Sequence, residues 1–334
     1  MGITVIGSLN YDLVTFTDHI PNMGETISGK CFETHVGGKG LNQAIALSNL
    51  KPDSIAEAVR MVGNIGEDSF GSELLRVGRT SGLNMEYVGR HDDVRTGTAT
   101  ILVEESSGQN RIICVSGANM KTVFDKERLQ LVFPAKGGSS EEYVILQHEI
   151  PDPCSIMHWL RENRPEHLIV FNPSPFQHLD PLDWKAVDIL VVNEVEALQL
   201  LSSLYDNNDV ARYQSLVETN LIEGYTMIAQ EFKSRKVLNS NGPGVIIITL
   251  GENGIIYTSR TQSDISYFPA THIDNVIDTT AAGDTFLGGV VMQLYNGSTL
   301  HDAVKFAAYA SAIAITRKGA SNSIPSYAEV MEKL

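Results

Sequence analysis

A chain of 334 residues with 43% hydrophobic and 19% charged residues has the composition of a folded globular protein, which excludes a disordered or fibrous one. Its 25 lysine and arginine residues against 40 aspartate and glutamate residues give a formal net charge of −15, which disfavours a nucleic-acid-binding surface. If such an acidic chain binds a nucleotide, local hydrogen-bond donors or a cation must hold the phosphates.

Short β-branched runs alternate with longer amphipathic segments along the chain. Runs typical of buried strands occur at residues 3–7, 144–147, 168–171, 189–192 and 245–249. Helical spacing of apolar residues occurs at residues 41–50, 69–79, 155–163 and 194–202. This alternation predicts an α/β fold: a doubly wound, mainly parallel sheet flanked by helices and joined by right-handed crossovers. The more polar residues 205–241 predict a helix and a surface loop.

Two stretches break this alternation. Residues 15–35 and 96–115 are strand-like without an intervening helix, and a turn is expected at residues 106–108. They predict a small β-sheet lid, inserted at about residues 12–36 and 95–116 into a single domain spanning residues 1–334. Lids of this kind exclude water from transfer chemistry.

The sequence carries no pattern typical of secretion or membrane insertion. The three cysteines are too far apart for a zinc or redox motif, and the amino terminus lacks the basic region of a signal peptide. No apolar stretch approaches the roughly 20 residues that a membrane helix needs. We therefore expect a cytoplasmic chain, with a nuclear location left open, and neither a membrane nor a nucleic-acid partner.

The sharpest local signal is the segment DTTAAGD at residues 278–284, directly before a helical pattern. Small side chains leave backbone N–H groups free to converge on one spot, where the helix dipole also favours negative charge. Asp284 is expected at or near the helix N-cap, where a carboxylate is ordinarily a simple cap. A second carboxylate at Asp278 and a glycine directly before Asp284 favour an anion-binding site instead.

A glycine cluster, GGKGLNQA at residues 37–44, opens another predicted helix. It lets the backbone approach a ligand, although an ordinary tight turn would have the same glycines. Acids, amides and glycines also follow several predicted strands, which predicts a polar cleft at the carboxyl ends of the sheet. Residues 24–31 have the glycine and lysine spacing of a P-loop, but Cys31 occupies the position of the required Ser or Thr, which disfavours a P-loop. No G-x-G-x-x-G follows a predicted strand, which disfavours a dinucleotide-binding oxidoreductase.

Taken together, the motifs resemble the phosphofructokinase-B type, ribokinase-like family of carbohydrate kinases over essentially the whole chain. The matching segments are residues 7–12, 37–44, 193–196, 249–251, 278–284 and 316–320. The family's frequent D-T-T-G-A-G-D pattern has Ala281 here in place of its first glycine. The resemblance implies ATP-dependent phosphorylation of a sugar hydroxymethyl group. Lys39 within G-G-K-G-x-N-Q resembles the ribose-phosphorylating members of the family more than the others, which implies the 5-hydroxyl of D-ribose as the acceptor. A fructokinase, an adenosine-type nucleoside kinase and a catalytically silent nucleotide or sugar sensor remain alternatives.

The resemblance also implies residue roles for the transfer and the sugar. Asp284 would act as the base, and the backbone of Ala281, Ala282 and Gly283 would hold the charge on the phosphoryl group. The residues implied to bind sugar are Asn10, Asp12, Gly38, Lys39, Asn42, Glu149 and Asp284.

Further roles concern the nucleotide, the cations and a partner. The implied nucleotide residues are Asn193, Gly251, Glu252, Asn253, Gly254, Ile255, Ile256, Gly283 and Ala308. Glu196 would hold Mg²⁺ through water. The implied K⁺ site, mostly of backbone carbonyls, comprises Asp278, Thr280, Ala314, Arg317, Gly319 and Ser323. The family resemblance and the lid together suggest a homodimer in which lid strands pair.

Overall fold

The computed structural model describes residues 2–106, 109–135 and 141–334. The strands are β1 (Gly2–Ile6), β2 (Asn10–Thr17), β3 (Cys31–Gly37), β4 (Arg60–Gly66), β5 (Asn84–His91), β6 (Gly97–Glu104), β7 (Asn110–Val115), β8 (Glu142–Gln147), β9 (Leu168–Asn172), β10 (Ile189–Asn193), β11 (Val245–Thr249), β12 (Ile255–Thr258) and β13 (Ser266–Phe268). The helices are α1 (Lys39–Asn49), α2 (Ser69–Thr80), α3 (Lys126–Val132), α4 (Pro153–Asn163), α5 (Glu194–Leu204), α6 (Asn207–Thr219), α7 (Leu221–Ser234), α8 (Ala282–Tyr295), α9 (Leu300–Ala314) and α10 (Tyr327–Met331). Within these described ranges, none of the helices combines the length and apolar character that a bilayer span requires.

The larger sheet contains nine strands of the described chain, in the order β13-β12-β11-β10-β9-β8-β1-β4-β5. Every pair from β11 to β5 is parallel, and the five strands predicted from sequence all lie in this part. The β-branched run of β11 is buried along four of its five residues, as expected for a parallel strand covered on both faces. The predicted mainly parallel sheet is confirmed, while the antiparallel strands β12 and β13 were not predicted.

Helices cover both faces of this sheet and enclose two apolar cores. One core includes residues of α1, α8 and α9, and the other includes residues of α4, α5 and α7. Ile228 and Phe232 of α7 are fully buried in the second core. The helix expected within residues 205–241 is present as two helices, α6 and α7, which occupy residues 207–234, and the expected loop is limited to residues 235–241.

A separate four-stranded sheet, in the order β3-β2-β6-β7, confirms the predicted lid. Its central strands β2 and β6 are parallel, and the two outer pairs are antiparallel. Tyr11 of β2 stacks on Phe70 of α2 with ring centroids 4.4 Å apart, which joins the base of the lid to the main body. In the predicted lid turn, Ser107 and Gly108 lie outside the described residues.

Candidate active site

The order of the strands reverses between β1 and β8, which lie side by side. From β1 the sheet continues to β4 and β5, whereas from β8 it continues to β9 and β10 in the opposite direction. Open α/β sheets bind ligands at the carboxyl ends of the strands beside such a reversal. Hydrogen bonds at this edge join α1 to α8, so the two motifs at residues 37–44 and 278–284 meet there.

Asp284 is the third residue of α8 and is 8% exposed. Its Oδ2 accepts a hydrogen bond from Asn42 Nδ2 at 3.1 Å, and its Oδ1 accepts one from Gln43 Nε2 at 2.9 Å. The N-cap itself is Ala281, which makes no side-chain capping bond. The expectation of Asp284 at or near the cap is met only in position, because its carboxylate faces α1 instead of capping α8.

The start of α8 is set by a left-handed residue. Ala281 has φ 59° and ψ 11°, a conformation that costs a non-glycine residue about 1–2 kcal/mol. The N–H of Ala282 donates to the carbonyl oxygen of Thr279 at 3.2 Å. Gly283 is exposed, with open space where a side chain would lie. An anion can therefore approach the amino terminus of α8 at Gly283, where the helix dipole favours it.

Two carboxylates lie on the lid side of the crevice. Glu149, just after β8, accepts hydrogen bonds through Oε2 from the N–H of Lys39 at 3.0 Å and from Ser8 Oγ. Burial, and secondly the charge of Glu149, raise the pKa of Asp12 on β2 to about 7. Gly37 makes room for Asp12, because a Cβ there would lie 2.2 Å from Asp12 Oδ2.

Lys39 supplies positive charge within an otherwise acidic protein. Although burial disfavours its charged form, the carboxylates of Asp284, Glu149 and Glu196 raise the pKa of Lys39 above its ordinary value. The ammonium group is therefore charged at neutral pH. It gives the crevice a local attraction for an anionic or hydroxyl-rich ligand.

Asn10, at the start of β2, is fixed by a residue that the sequence did not indicate. Asn119 Nδ2 donates to Asn10 Oδ1 at 2.7 Å, while Asn119 Oδ1 accepts from the N–H of Leu9 at 2.9 Å. Gly97 leaves space for this contact, since a Cβ there would lie 2.3 Å from Asn10 Oδ1. Because the Asn10 oxygen accepts from Asn119, the Nδ2 group of Asn10 remains as the hydrogen-bond donor to a ligand.

The motif at residues 193–196 has a structural role at the start of α5. The N–H of Asn193 donates to Glu196 Oε2 at 3.0 Å, and the N–H of Glu196 donates to Asn193 Oδ1 at 2.8 Å. This reciprocal pair is a capping box. Glu196 is 6% exposed and keeps one carboxylate oxygen outside the capping bond.

The residues expected to bind nucleotide are not all at a surface. Gly251, Glu252 and Asn253 are exposed in a short turn after β11. Of the six other expected residues, Asn193 and Gly283 are exposed, whereas Gly254, Ile255, Ile256 and Ala308 are buried, Ile256 completely. The side chains of Ile255, Ile256 and Ala308 belong to the two apolar cores that underlie the turn.

Three of the six residues expected to form the monovalent cation site are joined by hydrogen bonds. The N–H groups of Thr280 and Gly319 both donate to the Asp278 carboxylate at 2.9 Å. Against the effect of burial, these bonds and one from the Thr280 hydroxyl lower the pKa of Asp278. Other expected members lie nearby in sequence: Ala314 ends α9, and the buried Ser323 Oγ donates to the Ala320 carbonyl at 2.8 Å. Arg317 directs its guanidinium to Glu329, so only its backbone is free for a cation.

Further residues at the centre of the site were missed by the sequence analysis. Gln43, Gln147 and Asn172 form a hydrogen-bonded amide cluster next to Asp284, and Ser8 holds Glu149. Gln147 and Asn172 each end a buried parallel strand, a signal that could have identified both.

Comparison with known proteins agrees with this architecture. The profile of the pfkB family carbohydrate kinases matches residues 2–327. A ribokinase of Schizosaccharomyces pombe is 35% identical, over 99% of this chain and 96% of its own. The crystal structure of ribokinase from Cryptococcus neoformans in complex with ADP has a TM-score of 0.78 at 29% identity, covering 100% of this chain and 99% of that one.

A plant structure gives the same result. Arabidopsis thaliana ribokinase complexed with ribose and ATP has a TM-score of 0.78 at 26% identity, over 99% of this chain and 97% of that one. The family profile matches nearly the whole chain, and both the strand reversal and the contact between the two motifs lie within the matched residues. The chain belongs to the pfkB family of carbohydrate kinases.

Proposed function

We propose that this chain is an ATP-dependent kinase that phosphorylates the 5-hydroxyl group of D-ribose. The observation that carries the proposal is the buried Asp284 carboxylate, held by Asn42 and Gln43 beside the open amino terminus of α8. The relatives support the choice of substrate, since one is named ribokinase and another was solved with ribose and ATP.

The sugar site of this proposal lies between the lid and α1. Its residues are Asn10, Asp12, Gly38, Lys39, Asn42 and Glu149. Carboxylates accept hydrogen bonds from vicinal hydroxyls, and amide and ammonium groups donate to the hydroxyl oxygens. Because an analogue that lacks one hydroxyl leaves a buried polar group without its partner, such a site selects strongly for the full set.

Asp284 is the base that accepts the proton of the reacting hydroxyl. Asn42 and Gln43 present only N–H donors to its two oxygens, which suits a carboxylate because it only accepts. Phosphoryl transfer passes through a loose transition state, so alignment and charge stabilisation contribute most of the catalysis. Gly283, with Ala281 and Ala282, stabilises the charge of the phosphoryl group at the α8 amino terminus.

The nucleotide of this proposal lies along the turn at residues 251–254, with its phosphates directed to Asn193 and Gly283. Mg²⁺, when bound, neutralises phosphate charge. Glu196 is suited to hold it through water, because Mg²⁺ keeps several waters and takes only one or two carboxylates.

A substrate panel tests the proposed function. ADP release is measured with ribose, fructose and adenosine as acceptors, at fixed ATP and Mg²⁺. We expect turnover to be highest with ribose. Turnover with adenosine or fructose alone would redirect the assignment to a nucleoside kinase or a fructokinase. Binding of ATP and ribose without ADP release would indicate a silent sensor.

We expect K⁺ to activate the enzyme. A cation held by backbone carbonyls of residues 278–280 and 314–323 fixes the geometry of the adjacent turn at Ala281 and Ala282. The measurement compares kcat in potassium buffer with kcat in a buffer whose only monovalent cation is bulky and organic. Equal turnover in the two buffers would count against the proposed cation site.

We expect kcat/KM for ribose to rise with pH through about 7 and then level off. The pKa of Asp12 is raised to about 7, so its carboxylate is ionised, and able to accept from two sugar hydroxyls, only above that pH. Since the charge of Glu149 contributes to this shift, Glu149→Gln moves the limb to lower pH. In Asp12→Asn the limb disappears. A wild-type profile that is flat between pH 6 and 8 would contradict the assignment.

We expect a homodimer formed through the lid. All residues of the edge strand β7 are exposed, and Ile112 and Ile113 are 55% and 63% exposed. An uncovered apolar edge strand is a site for strand pairing. Light scattering should show a dimer that Ile113→Lys converts to a monomer, whereas Leu182→Lys, at an exposed site outside the lid, has no effect. A wild-type monomer at micromolar concentration would refute the pairing.

A further inference from the structure

Three carboxamides form a connected chain behind the Asp284 carboxylate. Asn172 Nδ2 donates to the carbonyl oxygen of Val191 at 3.0 Å, and Gln43 Nε2 donates to Asn172 Oδ1 at 3.2 Å. Gln147 Nε2 donates to Gln43 Oε1 at 2.7 Å. Gln43 Nε2 also reaches Asp284 Oδ1 at 2.9 Å, so both ends of its amide are engaged.

The orientation of every amide in this chain follows from one fixed acceptor. The Val191 carbonyl can only accept, so Asn172 must turn Nδ2 toward it and present Oδ1 to Gln43. Gln43 must then present Nε2 to Asn172 and to Asp284, which leaves Oε1 for Gln147. A flipped Gln43 would set oxygen against carboxylate and against Asn172 Oδ1, and nitrogen against Gln147 Nε2.

The packing leaves no room for an alternative arrangement. Gln43 and Gln147 are both fully buried. Gly7 accommodates the Gln147 amide, because a Cβ at residue 7 would lie 2.1 Å from Gln147 Oε1. A buried polar chain of this kind holds its members through the hydrogen bonds that are made, and among the described residues only Gln147 Oε1 in this chain of three amides has no partner. It lies at the strand reversal, where β1, β8 and β9 end.

We propose that Gln43 is a positioning residue that holds the Asp284 carboxylate at the reacting hydroxyl, with its own amide oriented by Asn172 and Gln147. The inference rests on the proposed function, in which Asp284 is the base. Gln43 acts on the alignment of that base and does not contact the sugar or the nucleotide. Alignment errors of about 1 Å at a reacting group lower rates by roughly 100-fold.

The test uses the full chain and separates kcat from KM. Gln43→Met keeps the side-chain length but removes all three side-chain hydrogen bonds of Gln43, and we expect kcat to fall by roughly 10- to 100-fold. The KM values for ribose and ATP should change by less than roughly threefold, since ground-state contacts are retained. Gln147→Met, one step further from Asp284, should lower kcat by roughly 3- to 10-fold because Gln43 loses its orienting donor.

Gln293→Met is the matched control. Gln293 lies on α8 with Asp284, is 6% exposed, and bonds to Ser298 at the far end of the helix. It should retain the parent kcat. If Gln43→Met and Gln147→Met fold and both retain the parent kcat, or if kcat and KM change by equal factors, the inference is wrong.

A crystal structure of Gln43→Met makes the test independent of turnover. We expect the Asp284 carboxylate to rotate away from its position in the parent. An unmoved carboxylate would overturn the inference even if kcat were lower. If the parent fails to phosphorylate ribose, the proposed function fails, yet the position of this carboxylate in parent and variant still decides the role of Gln43.

Discussion

Asp284→Asn is expected to lower kcat for ribose phosphorylation by about 10³-fold, within the range of about 10²–10⁴ that a general base contributes. The variant cannot accept the hydroxyl proton. Its carboxamide also has only one acceptor for the two donors that Asn42 and Gln43 present, so an N–H would face an N–H. KM for ATP should change little. Steady-state ADP release, with thermal unfolding to verify the fold, measures both effects.

Asp302→Asn is a close control for this substitution. Asp302 is the third residue of α9, as Asp284 is of α8, but it is exposed and bonds to the N-cap residue Thr299. It shares the helix position without the crevice, so its kcat should match the parent. An Asp284→Asn enzyme that kept more than about a tenth of the parent kcat would remove Asp284 from the role of base.

Local patterns in the sequence predict the main sheet, the lid and the segment that carries Asp284. A continuous apolar run such as residues 245–249 is stable as a strand covered on both faces of a parallel sheet. Small residues directly before an apolar helix are typical of an anion-binding helix amino terminus. The short link between β11 and β12 was also a usable signal, although it was not used. Five residues, 250–254, cannot make a parallel crossover, which needs about a dozen, so β12 had to be antiparallel.

The contacts that orient the site could not be read in the same way. Gln43 and Asp284 are 241 positions apart, and Asn10 and Asn119 are 109 apart. Only the folded topology brings these amides together, and no local spacing encodes them. The motif at residues 193–196 is local, but its pattern has two explanations. A local capping box accounts for its residue types, so the pattern alone does not distinguish a helix start from a phosphate site.

The glycines at residues 37–40 had an ordinary turn as their alternative explanation, and Gly40 distinguishes the two. A Cβ on Gly40 would lie 2.6 Å from Gly7 C and Ser8 N, both of them backbone atoms, while the N–H of Leu41 donates to the Ser8 carbonyl at 3.0 Å. Helix α1 is therefore held directly against the loop after β1.

Gly40→Ala is expected to push α1 away from that loop. The new Cβ would meet backbone atoms of Gly7 and Ser8, which, unlike the end of a flexible side chain, cannot move aside without moving the loop. The free energy of unfolding should fall by about 1–3 kcal/mol, as for other overpacked cores. The kcat/KM for ribose should fall by roughly 100-fold or more, because Asn42 and Gln43 move with the helix relative to Asp284. Urea unfolding and steady-state kinetics measure the two effects.

Gly2→Ala, where the nearest atoms belong to the flexible Glu142 side chain at 3.1 Å, should alter neither. A Gly40→Ala enzyme with parental stability and kcat/KM would mean that α1 tolerates displacement, and the close approach would then have no part in holding the base.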